Sequence, residues 1–374
     1  MNIKSKNFFV SSIIIFLILS TFIISTILAL SQIKVHTQNN ILKSLQTVNQ
    51  TTQEALQIWV NYLNSDLIDI TYEKEILDLT QFLIIKNNNH RNIVNSTQLL
   101  QFRSVISSKL RKHKINDYML IAPNRINIAT RYDENIGNLN NIHKQREEYL
   151  DRAFAGETIF IPTIQSDVPL KTSSGVYSND LPTIFIASPI FNASRKVIAV
   201  LAIRLDPSKD FTRIMQLGRI GESGETYAFD SNGILITESR FDYQLRQAGL
   251  MHDTHKGILT IRITDPGGNL LEGFKPIIPP EKRPLTVMAQ SAITKNTNYN
   301  IDGYRDYRGV NVLGVWHWNE RFGFGITTEI NADEALRPYY KTRFTIITLL
   351  SLSILLSFSM LFILLGFGKR TEMK

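Results

Sequence analysis

Two stretches of the chain, residues 8–30 and 344–367, contain no charged residue and no proline, while the long segment between them is polar and mixed. As helices, each reaches roughly 35 Å, enough to cross a bilayer core of about 30 Å. The pattern predicts a short end at 1–7, a transmembrane helix at 8–30, an aqueous segment at 31–343, a second transmembrane helix at 344–367 and a tail at 368–374. The mean hydropathy of −0.06 agrees, because two very apolar runs average to that value only if the rest is distinctly polar. That excludes a multi-span transporter. Ala29 and Ser31 have the small side chains of a signal-peptide cleavage site, but the run before them exceeds the roughly 7–15 apolar residues of such peptides, so it reads as an uncleaved anchor.

Inside the aqueous segment the period changes. All 19 glycines and 12 prolines of the 374 residues lie at Pro123 or later, so the part up to Ala122 has a helical composition. Ile41, Leu45, Val48, Thr52, Ala55, Trp59 and Tyr62 recur in steps of four and three, the spacing of one helix face. A long helix is expected, broken at Asn87-Asn88-Asn89-His90, then a second helix to about Lys112. This stripe suits packing along its own domain or contact with a second copy in a homodimer, and spacing alone does not separate the two.

Strands follow. Residues 117–122 and 126–130 around Pro123-Asn124 read as a hairpin, and so do 225–230 and 234–238 around Ser231-Asn232-Gly233. Placing Asn124 on Asn232 aligns Ile126 with Ile234 and Ile128 with Ile236. Each hairpin has a later partner, 182–191 with 197–205 and 308–318 with 323–330. Both second arms run into helix starts, Asp206 with Pro207 and Asn331 with Glu334 three residues on. Two modules with one order of elements imply an internal duplication, at 117–217 and 218–343, behind a helical stalk at 31–116. The fold class is α+β, each module an antiparallel sheet with helices on one face.

The net charge of +8 alters the picture little. Lys4 and Lys6, with Lys369, Arg370, Glu372 and Lys374, supply half of it, so nucleic acid is not an expected partner. The same charges favour cytoplasmic ends on a two-pass protein of the bacterial inner membrane, with the large segment periplasmic. Zero cysteines suit that exterior.

Several segments together resemble the double Cache family, paired PAS-like sensor modules held outside bacterial membranes by a long N-terminal helix. They are Gly221-Glu222-Ser223-Gly224-Glu225-Thr226-Tyr227 with Asp230 to Gly233 and Ser239-Arg240-Phe241, and Gly303-Tyr304-Arg305-Asp306-Tyr307-Arg308-Gly309 through Leu313-Gly314 to Trp316. Ser166 to Leu170, Pro284-Leu285-Thr286 and Met288-Ala289 support them. The resemblance covers most of 31–343. Physically these motifs read as structural, with glycines at turns and at least one of Trp316 and Trp318 in the core.

The resemblance implies a small-molecule ligand in the membrane-distal module. Amino-acid-binding members carry Arg-x-Trp-Tyr on the helix lining the pocket; here Arg146 and Tyr149 match but Glu148 replaces the tryptophan. Ala202 stands where the acid for an amino group is expected, so amino-acid binding is not supported. The candidate ligand residues are Arg131, Arg146, Tyr149, Ser166 and Asp167, a set suited to a polar or anionic ligand. Catalysis finds no support, and no metal or cofactor is expected. His252-Asp253-Thr254-His255 lacks the spacing and glutamate of a zinc protease, Gly221-Glu222-Ser223-Gly224 is not a nucleophile elbow, and no phosphate or dinucleotide loop is present.

For signal transmission the candidates are Asn331, capping a helix expected to enter the membrane, and Pro338, expected to kink it. Ser351, Ser353, Ser357 and Ser359 offer a possible helix contact. Seven residues after the second span cannot hold an output domain, so a sensor would signal to a separate membrane protein of kinase or cyclase type. The alternative is a non-enzymatic structural or assembly subunit that keeps the scaffold without a ligand.

Overall fold

The computed structural model describes residues 3–86, 93–113, 115, 117–171, 177–178, 181–251 and 257–370. The expected break at 87–90 and the His252 and His255 pair lie outside them. The chain divides into two compact units, 45–330 and a second made of 1–44 with 331–374.

In the larger unit, α1 (Ile3–Thr71) is followed by α2 (Lys74–Lys86) and α3 (Thr97–Leu110). The long helix therefore ends at Tyr72–Glu73, earlier than expected. From residue 45 onward its buried positions are Leu45, Asn49, Thr52, Leu56, Val60, Leu63, Asn64, Leu67, Ile70 and Thr71. The stripe packs on its own domain, but rotated from the expected one: Trp59 is only half-buried and Tyr62 is 56% exposed. Leu56, Leu63 and Leu67 each contribute roughly 1.5–3 kcal/mol by leaving water.

The first module contains β1 (Asp117–Ile121), β2 (Asn127–Thr130), α4 (Asn141–Gln145), α5 (Glu147–Phe154), β3 (Ile159–Gln165), β4 (Leu170–Lys171), β5 (Tyr177–Ser178), β6 (Pro182–Phe191), β7 (Val197–Leu205) and α6 (Asp210–Leu217). Its five-stranded antiparallel sheet has the order β2-β1-β7-β6-β3. Strand alternation sends Leu120, Ile186, Leu201 and Ile203 into the core shared with α1, α2 and α3. Met119, Phe185, Val200 and Ala202 face α4 and α5. Helices thus cover both faces of this sheet, not one, and the expected stalk is in part a layer of the module. After β7 the Asp206 side chain accepts from Ser208 N in a turn (3.0 Å), and the helix begins only at Asp210.

The second module contains β8 (Glu225–Phe229), α7 (Asp242–Gln247), α8 (Val287–Ile293), β9 (Asn298–Arg305), β10 (Asn311–Asn319) and β11 (Phe324–Asn331), in a four-stranded sheet of order β8-β11-β10-β9. Residues 234–238 make bridges and not the full strand expected. Thr237 Oγ1 takes the Ala228 N–H that a ladder would use, and Leu235 N instead donates to Ile261 O (2.9 Å). Trp316 and Trp318 are both buried. The modules share a core, in which Phe160 of β3 meets Phe211, Phe322 and Phe324 with ring centroids 5.4–6.1 Å apart.

In the other unit, α1 from Ile13 and the helix Arg337–Arg370 are long and apolar enough to cross a membrane, and Phe16, Leu28, Leu355 and Phe362 lie exposed along them. Here α9 (Ala332–Ala335) and α10 (Arg337–Arg370) are separate helices with Leu336 between them. Asn331 stands at the N-cap of α9, but its side chain makes no capping bond. Pro338 falls in the first turn of α10, where a missing N–H costs no helical bond, so the break lies at Leu336 and Pro338 kinks nothing. Replacing Pro338 by alanine is expected to lower thermal stability by no more than about 1 kcal/mol, read from the melting transition. Ser351 and Ser357 donate back to Ile347 O and Ser353 O within α10.

Candidate functional site

The α4–α5 face of the first sheet ends in a polar corner. Arg204 is two residues beyond Ala202 on β7 and therefore shares its face. Its strand partners are Asp117 on β1 and Phe185 on β6. The guanidinium donates from Nη1 to Asp117 Oδ2 (2.8 Å) and from Nη2 to Asp167 Oδ1 (3.3 Å), and lies 5.4 Å from the Phe185 ring centre. The Arg204 side chain is 4% exposed, and its Nε has no partner among the described residues. Ser166, beside Asp167, is turned into its own loop: Oγ donates to Val168 O (2.9 Å) and accepts from Val168 N (3.3 Å).

The five residues named from the sequence do not all meet here. Asp167 reaches the corner, and Ser166 stands beside it with its hydroxyl turned to Val168. Arg131 is exposed past the end of β2, with its guanidinium 5.5 Å from the Tyr132 ring. Arg146 and Tyr149 turn toward the second module, where Arg146 Nη2 pairs with Asp230 Oδ2 (3.0 Å) and Tyr149 Oη donates to Phe322 O (3.0 Å). Asp230 is the turn residue of the Asp230-to-Gly233 motif, and its Oδ1 accepts from Asn232 N and Ile234 N. Gly323, at φ +74°, makes room for the Tyr149 hydroxyl, which a Cβ there would strike. Arg204 was legible only as the next position on the face that holds Ala202.

The larger omission is in the second module, where the motif residues that read as structural converge on a buried polar network. Glu225 on β8 and Glu329 on β11 are directly paired across the strands, 4% and 3% exposed. Glu225 Oε1 accepts from Ser239 Oγ (3.0 Å) and Arg240 N (2.7 Å), and its Oε2 from Tyr307 Oη (2.8 Å). Glu329 Oε1 accepts from Tyr304 Oη (2.6 Å), and its Oε2 from Tyr227 Oη (2.9 Å). Next to them Arg308 donates from Nε to Asp306 Oδ2 (2.7 Å) and from Nη1 to Gln244 Oε1 (2.9 Å), its guanidinium stacked 3.5 Å over the Phe241 ring. Gly314 leaves the space in which the Tyr304 hydroxyl meets Glu329: a Cβ would strike that hydroxyl and stand 3.0 Å from Glu329 Cγ.

Burial dominates the electrostatics of this network. It pushes the Glu329 carboxyl up to about 8, with the Asp306 and Glu225 charges adding to the rise and the Tyr304 and Tyr227 hydrogen bonds opposing it. Glu225 is raised by the same burial, against the pull of Arg308. Two carboxylates facing each other across a strand pair repel when both are charged, so they titrate as a pair.

No family model matches the sequence, and no curated protein matches it. Among solved structures, the chain is similar to the sensory domain of the Campylobacter jejuni chemoreceptor Tlp3, at 15% identity over 81% of this chain and 98% of that one, with a TM-score of 0.46. It is similar to the sensor domain of the Vibrio cholerae histidine kinase DctB, at 13% identity over 79% and 96%, with a TM-score of 0.45. A third is the ligand-binding domain of the Pseudomonas aeruginosa amino acid chemoreceptor PctB in complex with L-Arg, at 11% identity over 80% and 96%, with a TM-score of 0.40. Independently of these, the two tandem α+β modules behind one long helix are the architecture that the double Cache resemblance implies.

Proposed function

We propose that this chain is an extracytoplasmic sensor of the double Cache kind, anchored in the bacterial inner membrane by its two apolar helices, with both ends cytoplasmic. It binds a small polar ligand at the Asp117–Arg204–Asp167 corner of the first module, residues 117–217. Occupancy is passed from the second module, residues 218–343, into α10 and so to a signalling partner in the membrane. The observation that carries the reading is the buried Arg204, held between two carboxylates with its Nε without a partner among the described residues. One guanidinium against two carboxylates leaves an excess negative charge, so the corner favours a ligand with a cationic amine and an acceptor for Arg204 Nε. With Arg146 paired to Asp230, the anionic ligand suggested by the sequence loses one of its candidate cations.

Isothermal titration of the full chain in detergent with ethanolamine, L-alanine and propionate tests this. The amines are expected to bind and propionate, which lacks the amine, is not; Asp167→Asn is expected to weaken amine binding by about tenfold or more. If no amine binds better than millimolar, the sensor reading of this corner fails. The scaffold reading then stands in its place, favoured by Arg146 and Tyr149 being used to join the modules.

A further inference from the structure

A cleft of about 530 Å³ opens where α1, the first sheet and the β10–β11 turn of the second module meet, away from the Arg204 corner. Its size is that of small-molecule sites. The lining is polar on three sides. Asn61 and Asn64 come from α1, Thr158 and Ser188 from the first module, and Arg321 from the second. Tyr72 and Phe191 supply a tilted pair of rings, 6.4 Å between centres.

Two observations point to a ligand. Asn64 is 8% exposed and its Oδ1, buried, has no partner among the described residues, which is costly to leave unmet. Arg321 brings a guanidinium to the same cleft, on an exposed turn, where Nη2 donates to Asn61 Oδ1 (3.1 Å). Thr158, half-buried, shares a hydrogen bond of 2.8 Å with Ser188, which also lies 3.5 Å from Thr71 Oγ1, and Thr158 keeps further capacity as an acceptor. A cation, an unmet amide, paired hydroxyls and two ring faces together match a molecule with one anionic group, several hydroxyls and a carbon ring.

We propose that this cleft is a second ligand site, for a hydroxylated carboxylate of monosaccharide size such as a hexuronate. The carboxylate sits on Arg321, ring hydroxyls meet Asn64 and the Thr158–Ser188 pair, and the ring lies against Phe191 and Tyr72. Because the walls come from α1 and from both modules, an occupant would bind one arrangement of the three more tightly than others and so bias α1.

Isothermal titration of the full chain in detergent with D-glucuronate is the test, with D-glucose and hexanoate as controls lacking the carboxylate and the hydroxyls. Glucuronate is expected to bind in the micromolar range, at least tenfold more tightly than either control. Arg321→Gln and Asn64→Leu are each expected to weaken it at least tenfold, while Asp167→Asn leaves it unchanged, which separates this site from the Arg204 corner. Asn64→Leu replaces an unmet polar atom with an apolar group, so its melting temperature should not fall; should it fail to fold, Arg321→Gln on its exposed turn decides alone. Absence of glucuronate binding, equal binding by Arg321→Gln, or glucose binding as tightly as glucuronate overturns the proposal.

Discussion

Urea unfolding of the full chain is expected to need less denaturant at pH 8 than at pH 5, and Glu329→Gln is expected to reduce that difference. The folded Glu329 carboxyl is raised to about 8 by burial first and then by Asp306 and Glu225, against 4.5 when unfolded. A raised carboxyl holds its proton in the folded state while the unfolded chain releases it. The stabilisation is therefore complete below about pH 4.5 and is lost as pH rises through 8. The slope approaches about 1.4 kcal/mol per pH unit between those limits, and the whole shift is worth about 5 kcal/mol. Glu225 and Asp306 are shifted in the same direction by burial and steepen the trend. His317, lowered by burial, works the other way but is only half-buried and weaker. Glutamine at 329 keeps an acceptor for one tyrosine and loses the proton equilibrium. Fluorescence of Trp316 and Trp318, buried in the second module, reports the transition. Equal pH slopes for wild type and Glu329→Gln would show that another group carries the dependence.

The second large effect concerns Arg308. It is 2% exposed, and its partner Asp306 is 1% exposed. Arg308→Met keeps the length and the contact with Phe241 but leaves Asp306, among the described residues, with the backbone donors of residues 308 and 310. Removing one partner of a buried pair costs about 3–5 kcal/mol, chiefly the penalty of the stranded charge. Adding Asp306→Asn to the same chain is expected to recover most of the loss, because the neutral amide is far cheaper to bury. Denaturation of the two variants side by side checks this; a double variant no more stable than Arg308→Met would mean that the arginine acts through packing alone.

What the sequence disclosed follows from how local each signal is. β6 and β7 were legible because they are long and apolar and are joined by a short polar turn. β3 was not, since Ile159–Gln165 is almost wholly buried, shows no alternation and contains Pro162. β9 was hidden by Asn298, Asn300, Asp302 and Gly303, poor strand formers on an edge strand whose outer residues face water. The stripe of α1 was displaced because Trp59 and Tyr62 are large and apolar in composition yet sit beside the groove and not in it. Ser166 and Asp167 were found through their loop, but Arg204 resembles an ordinary strand-end charge until Asp117 is laid beside it. The pairing of Glu225 with Glu329 joins residues more than a hundred positions apart, and no spacing rule reaches that far.

The contacts that Arg146 and Tyr149 make with Asp230 and Phe322 bear on how this chain can be cut and recombined. The modules are related by order of elements, yet each completes a surface of the other, with Gly323 shaped to one tyrosine hydroxyl of its neighbour. A hybrid chain spliced at the linker near residue 218 would inherit half of each contact. A foreign first module would leave Asp230 without its guanidinium and a hollow over Gly323. Exchange between such proteins is constrained to move 117–330 together with the α1 segment that packs on it, as a single heritable block.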